Sequence, residues 1–141
     1  MALKLPCYCA SLRQATRAIS QEYDRVMRPL GLTGTQFTLL TILSKLPNAR
    51  VNDLAEALAM DQTTVSRTLA LVKDAKLIER QAGVEDRREA RWVLTVAGRE
   101  KLRKGLPLWE SAQRRVESLM GADQAGRLKD AAFRLTQKLA R

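Results

Sequence analysis

The sequence predicts a mainly α-helical chain carrying one small β-hairpin, on three observations. Apolar residues recur at three- and four-residue steps through most of its length. That period gives way to short extended runs only between Leu77 and Thr95. With 141 residues and 45% hydrophobic content, the chain supports one core, so a single domain over 1–141 is expected.

The first helix follows from Leu12, Ala15, Ile19, Tyr23, Val26 and Leu30, which form one apolar stripe ending near Pro29. Thr33 and Gln36 stand at capping-box spacing ahead of Phe37, Leu40, Leu43 and Leu46, which predicts a second helix to about Pro47. Asn52 is the expected N-cap of a short third helix that turns Leu54, Ala55 and Leu58 inward and stops at Met60 and Asp61. Asp61 then caps a fourth, with Val65, Leu69 and Val72 inward and Gln62, Thr63, Ser66, Arg67 and Lys73 outward.

Leu77–Arg80 and Arg91–Thr95 read as two strands around a polar tip, Gly83 to Ala90. Helix, turn, helix, hairpin is the order of a winged helix-turn-helix. The last third returns to helix, with Leu102, Leu106, Trp109, Ala112, Val116 and Leu119 on one stripe and Leu128, Ala132, Leu135 and Leu139 on the next, divided at Gly121. Pro107 removes a backbone donor inside the first of these, so a bend or break is expected just before Trp109.

Twenty-five Lys and Arg against fifteen Asp and Glu leave a formal charge of +10, which attracts polyanions. Histidine is absent, removing the commonest general base and metal ligand, and the seven glycines are scattered singly rather than gathered in a phosphate-binding loop. Two thiols, Cys7 and Cys9, do not complete a zinc site, and a disulfide across one residue would be strained. Neither an enzyme nor a bound cofactor is therefore expected. With no apolar tract of about 20 residues and no signal-peptide pattern at the start, the expectation is a cytoplasmic protein without a membrane partner.

An α-helix fits the major groove of B-DNA, and the segment opening with Gln62, Thr63, Thr64, Ser66 and Arg67 offers small polar and basic groups where the helix dipole also favours phosphate. Arg67 is the candidate for reading a guanine, and Lys73 lies outward further along. Arg87, Arg88 and Arg91 cluster at the hairpin, where guanidinium groups suit the narrow minor groove; Asp86 is expected to hold the Arg88 side chain extended. An outward polar helix face alone fits an ordinary solvated surface equally well. Its occurrence between a short capped helix and a basic hairpin is far more specific.

The string Asp86, Arg88, Glu89, Arg91, Leu94, Thr95 and Gly98 resembles the wing pattern of the MarR family, an Asp-x-Arg followed by Leu-Thr and glycine. The likeness extends to Leu32, Thr33, Gln36, Leu39 and Leu40 in the second helix and to Thr64, Val65, Ser66 and Arg67 in the fourth. It implies a homodimer, with 1–31 and 106–141 as dimerisation helices and 32–105 as the winged DNA-binding region, seated on a pseudo-palindromic double-stranded operator. The implied activity is that of a repressor released by a small ligand. Trp109, Val116, Leu119, Leu128, Phe133, Leu135 and Leu139 agree, since they are more apolar surface than one small domain covers.

For the signal, Cys9 lies fourteen residues before Tyr23, a spacing similar to that of the organic-hydroperoxide-sensing branch of the family. The chain departs from that branch by holding Arg13 and Gly34 where its tyrosines stand. A small anionic aromatic effector, with Arg13 and Arg17 as counter-ions, is the other expected input. The rival to both is a non-specific architectural nucleic-acid-binding protein, separable by competition with unrelated DNA.

Overall fold

The computed structural model describes residues 1–140. In chain order it consists of α1 (Tyr8–Met27), a 3₁₀ turn (Arg28–Leu30), α2 (Gly34–Lys45), α3 (Val51–Leu58), α4 (Gln62–Asp74), β1 (Ile78–Ala82), β2 (Ala90–Leu94), α5 (Val96–Met120) and α6 (Ala122–Leu139). The mainly helical class, the antiparallel hairpin and the helix-turn-helix order are as the sequence predicts.

Pro29 closes α1 through the 3₁₀ turn, which Gly31 ends at φ 70°. Lys101, reaching from α5, donates to the Leu30 carbonyl at 2.6 Å and satisfies an end left open by that turn. The α2 capping box is complete: Thr33 Oγ1 accepts the Gln36 N–H at 3.2 Å, and the Thr33 N–H donates to Gln36 Oε1 at 3.0 Å. At α3 the structure corrects the expected cap, because Arg50 rather than Asn52 occupies the N-cap. Asp53 supplies the acceptor, taking the Arg50 N–H at 2.8 Å and its guanidinium at 3.0 and 3.1 Å, so the helix begins two residues earlier than a cap at Asn52 allows.

Met27, Phe37, Leu39, Leu40, Leu43, Leu54, Val65, Leu69, Val72 and Ile78 make one core between α1, α2, α3, α4 and the hairpin. Each such side chain is worth roughly 1.5–3 kcal/mol when fully buried. β1 and β2 pair in register from Ile78 opposite Leu94 to Ala82 opposite Ala90. Trp92 extends the pairing sideways, donating its N–H to the Ala49 carbonyl at 2.9 Å, so the wing is anchored to the α2–α3 connection.

The hairpin then feeds α5 through a tight joint. Thr95 caps α5 by accepting the Gly98 N–H at 3.0 Å, while its hydroxyl donates to the Lys76 carbonyl at 2.7 Å. A Cβ at Gly98 would stand 1.9 Å from the Leu77 carbonyl oxygen, so only glycine lets α5 lie this close to the end of α4. The Leu-Thr-x-x-Gly spacing is thus the chemistry of one joint. Of the bend or break expected at Pro107, the break is absent: α5 runs as continuous helix for 25 residues. It is held on both sides of the one missing donor, by Gly105 packed against the Phe37 ring before the proline and by the fully buried Ala112 after it. α6, by contrast, buries none of its residues.

Candidate nucleic-acid interface

α4 buries Val65, Leu69 and Val72 and leaves Gln62, Thr63, Thr64, Ser66, Arg67 and Lys73 exposed. Its start is set by Asp61, whose carboxylate accepts the Thr64 N–H at 2.8 Å and the Thr64 hydroxyl at 2.6 Å. Those two bonds, the hydroxyl's first, hold the Asp61 carboxyl below its ordinary range. The Thr64 proton is thereby committed to the cap, and the hydroxyl faces outward as an acceptor.

At the wing, Asp86 does hold Arg88, though through a different atom than expected: Asp86 Oδ1 accepts the Arg88 backbone N–H at 2.9 Å. A short side-chain-to-backbone bond two residues on is favoured over a longer reach to a mobile guanidinium. It shapes the tip, together with Glu89 N–H to the Asp86 carbonyl at 3.1 Å and Gly83 N–H to the Glu89 carbonyl at 2.9 Å. Arg80 steadies the same turn from β1, donating to the Arg88 carbonyl at 3.3 Å. Arg87 and Arg88 are exposed. Among the described residues, no ion pair engages Arg67, Lys73, Arg87 or Arg88.

Arg91 stands apart from this exposed set. It is half-buried at the wing base, donating to Glu89 Oε2 at 2.6 Å and to the Asn48 carbonyl at 3.3 Å. Glu89 also meets Arg50 at 3.4 Å, and Arg50 is paired with Asp53. The Arg50 hydrogen bonds hold the Asp53 carboxyl below its usual range, with the Arg91 charge adding a smaller contribution. Sequence reasoning missed Asn48, Arg50, Asp53 and Glu89 as partners: the Arg50–Glu89 and Arg91–Asn48 links span 39 and 43 residues and leave no periodic trace, while the local Arg50–Asp53 and Glu89–Arg91 pairs gain their meaning only from those links.

The candidate sensor residues are divided between two places. Cys9 and Arg13 line an apolar groove of about 900 Å³ between α1 and α6, with Tyr8, Leu12, Leu128 and Leu135. Tyr23 instead lines a cavity of about 580 Å³ between α1, α2, α3 and α5, with Ile19, Asp24, Gly34, Met60 and Trp109. Within one chain, Cys9 and Tyr23 lie about 21 Å apart along α1, at 1.5 Å per residue. Burial, and secondarily the charge of Glu117, raises the Tyr23 phenol above its ordinary value. Arg17 is exposed and borders neither space. The charged residue lining the Tyr23 cavity is Asp24, which accepts the Gly34 N–H at 2.7 Å. A Cβ at Gly34 would lie 2.8 Å from Tyr23 Cβ, so α2 starts against α1 with no room for a larger residue. Both cysteines are free and exposed.

Comparison with known proteins gives a consistent picture. A family model described as the MarR family matches residues 30–89. The HTH-type transcriptional regulator MgrA of Staphylococcus aureus is 35% identical over 82 residues, which are 57% of this chain and 56% of MgrA. The matched stretch thus spans little more than half the length of that relative. The HTH-type transcriptional repressor Mb2911 of Mycobacterium bovis is 28% identical over 118 residues, covering 84% of this chain and 82% of the relative. Among solved structures, the M. tuberculosis transcriptional regulator MOSR in complex with DNA superposes with a TM-score of 0.85 at 34% identity, over 95% of this chain and 96% of that one.

Proposed function

The chain belongs to the MarR family of winged helix-turn-helix transcriptional regulators, and from that premise we propose that it acts as a homodimer on a pseudo-palindromic double-stranded operator, as a repressor. The observation that carries this reading is the placing of exposed cations, outside every ion pair among the described residues, on the outer face of α4 (Arg67, Lys73) and at the adjoining wing tip (Arg87, Arg88). Gln62, Thr63, Thr64, Ser66 and Arg67 enter the major groove, where Arg67 offers a bidentate donor pair to guanine. Arg87 and Arg88 follow into the adjacent minor groove. Asp86 shapes the turn that presents them, and Arg91 braces its base. MOSR, a relative covered over nearly its full length, was solved on DNA, which supports the same use of this surface.

Dimerisation is supported by α6, where Phe133 is 62% and Leu139 75% exposed, and by the apolar groove that α6 forms with α1. No described helix is long and apolar enough to cross a membrane, and a DNA-bound regulator works in the cytoplasm. Release of the operator by a small ligand is assigned to the cavity around Tyr23 and Trp109, which joins the helices of the proposed dimer to the winged region. Its lining has Asp24 and neither Arg13 nor Arg17, so within one chain it favours a neutral aromatic or amphipathic ligand over an anion. Peroxide sensing through Cys9 is the second reading, favoured by a free thiol that lines the α1–α6 groove with Arg13, one helical turn away.

Fluorescence anisotropy of the purified chain on the DNA upstream of its own gene, at several salt concentrations and with excess random duplex, tests the assignment. Competitor-resistant binding at two protomers per site is expected. Binding erased by random duplex would identify an architectural protein instead. Loss of binding on organic hydroperoxide, retained in a Cys9→Ser variant, would select the redox reading.

A further inference from the structure

Three adjacent links join residues 48–50, the connection between α2 and α3, to residues 89–92 of the wing. Arg91 donates to the Asn48 carbonyl at 3.3 Å, Trp92 N–H donates to the Ala49 carbonyl at 2.9 Å, and Glu89 pairs with Arg50 at 3.4 Å. Glu89 stands at the centre of the charged part. One carboxylate oxygen takes Arg91 at 2.6 Å and the other takes Arg50, while Arg50 is itself tied to Asp53 in the first turn of α3. The Glu89 backbone is engaged too, its N–H with Asp86 and its carbonyl with Gly83, so the residue that forms the clamp also closes the tip carrying Arg87 and Arg88.

We propose that Glu89 is a positioning residue that sets the wing against the helix-turn-helix, so that Arg87 and Arg88 reach the minor groove while α4 occupies the major groove; this rests on the DNA-binding reading above. A single exposed ion pair contributes little, but a carboxylate bridging two arginines from different elements, beside a backbone hydrogen bond, fixes an angle between those elements. Without it the Trp92–Ala49 backbone bond and the 3.3 Å bond from Arg91 to the Asn48 carbonyl remain, but Arg91 loses the carboxylate that orients it and Arg50 no longer ties the wing to α3. The wing cations are then present but displaced, and binding that depends on both grooves at once is weakened.

The sign of the effect separates this role from that of a passive surface charge. Removing a carboxylate near phosphate strengthens DNA binding when the carboxylate merely repels. Loss of the clamp weakens it. Glu89→Gln, made in the full chain and in a chain already carrying Arg87→Ala and Arg88→Ala, is measured on the operator by anisotropy and by hydroxyl-radical and guanine-N7 protection. The expected result is a loss of affinity of about fivefold or more in the first background and little change in the second, since residues acting through one another are non-additive. Minor-groove protection should fade while guanine protection by α4 remains. Without DNA, hydrogen exchange at the Trp92 amide should quicken by about tenfold, as local opening of this joint becomes easier.

Unchanged or tighter binding, a loss that persists undiminished in the arginine-free wing, or unaltered Trp92 exchange would overturn the proposal. Failure of the unsubstituted chain to bind any duplex selectively would instead overturn the DNA-binding reading. The exchange measurement requires no DNA and tells the two failures apart.

Discussion

Arg67 and Arg88 are both exposed arginines on the proposed DNA face, yet their surroundings assign them different work. Arg67 projects from the second turn of a helix whose start is fixed by Asp61, so on the proposed reading its fork would enter the major groove at one depth. Arg67→Ala is expected to relax base preference at one position in each half-site, at a cost of roughly 1–3 kcal/mol per bidentate pair. Arg88 sits on a turn shaped through its backbone, and on the proposed reading it would sense groove width rather than a base edge. Arg88→Ala should weaken binding to most sequences alike and lower the salt slope by about one for each phosphate it no longer neutralises. Titrations of both variants over several salt concentrations, on operator and single-base-changed duplexes, check the pair; an unchanged slope would remove Arg88 from the interface. The exposure and local setting of both residues were legible in the sequence because each is set by its near neighbours. Arg91 looks the same at that range; its partner Glu89 is two residues away, but its bond to Asn48 emerges only once β2 is laid beside the α2–α3 connection.

For the elements, the signals that proved readable were those confined to one turn: the Thr33–Gln36 box, the Asp61 cap and the shortened period at Leu77. Asn52 misled because it is a good cap in isolation, whereas Asp53 and Arg50 together make a stronger start two residues earlier. Leu-Thr-x-x-Gly was recognisable as a motif, but its cause, the approach of α5 to the Leu77 carbonyl, is a long-range fact that spacing does not reveal. Pro107 does not end its helix. Local chemistry predicts a break, and tertiary contact on both sides of the residue keeps α5 helical through it. The missing donor and the ring's conflict with the Arg103 carbonyl still carry a cost. Pro107→Ala should therefore raise stability, by up to about 3 kcal/mol if the ring is the only source of strain. Urea unfolding at fixed protein concentration measures it, and an unchanged midpoint would mean that α5 is shaped around the proline.

At the scale of the whole molecule, α1 and α6 are left with an apolar face that their own chain does not cover. Tyr8 is 91% exposed and Phe133 62%, and α6 buries no residue at all, which is an unfavourable arrangement for an 18-residue helix in water unless a second copy covers it. A two-fold partner would meet the same groove with the same helices, so each substitution acts twice. Leu135, which lines the groove together with Leu12, is the position where one change tests this most directly. Leu135→Asp should convert a species of twice the protomer mass into single protomers by light scattering, because two carboxylates would be buried without partners. The core of the winged region contains no residue of α6, so circular dichroism should still report a folded α2–α4 region. Operator binding should then fall by about a hundredfold or more, since the second half-site is no longer held at high effective concentration, while binding to an isolated half-site stays within the range of the original protomer. A Leu135→Asp protein that remains dimeric would place the interface elsewhere. One that is monomeric yet binds the full operator undiminished would show that the two wings act independently, and that the spacing of half-sites is not set by α1 and α6.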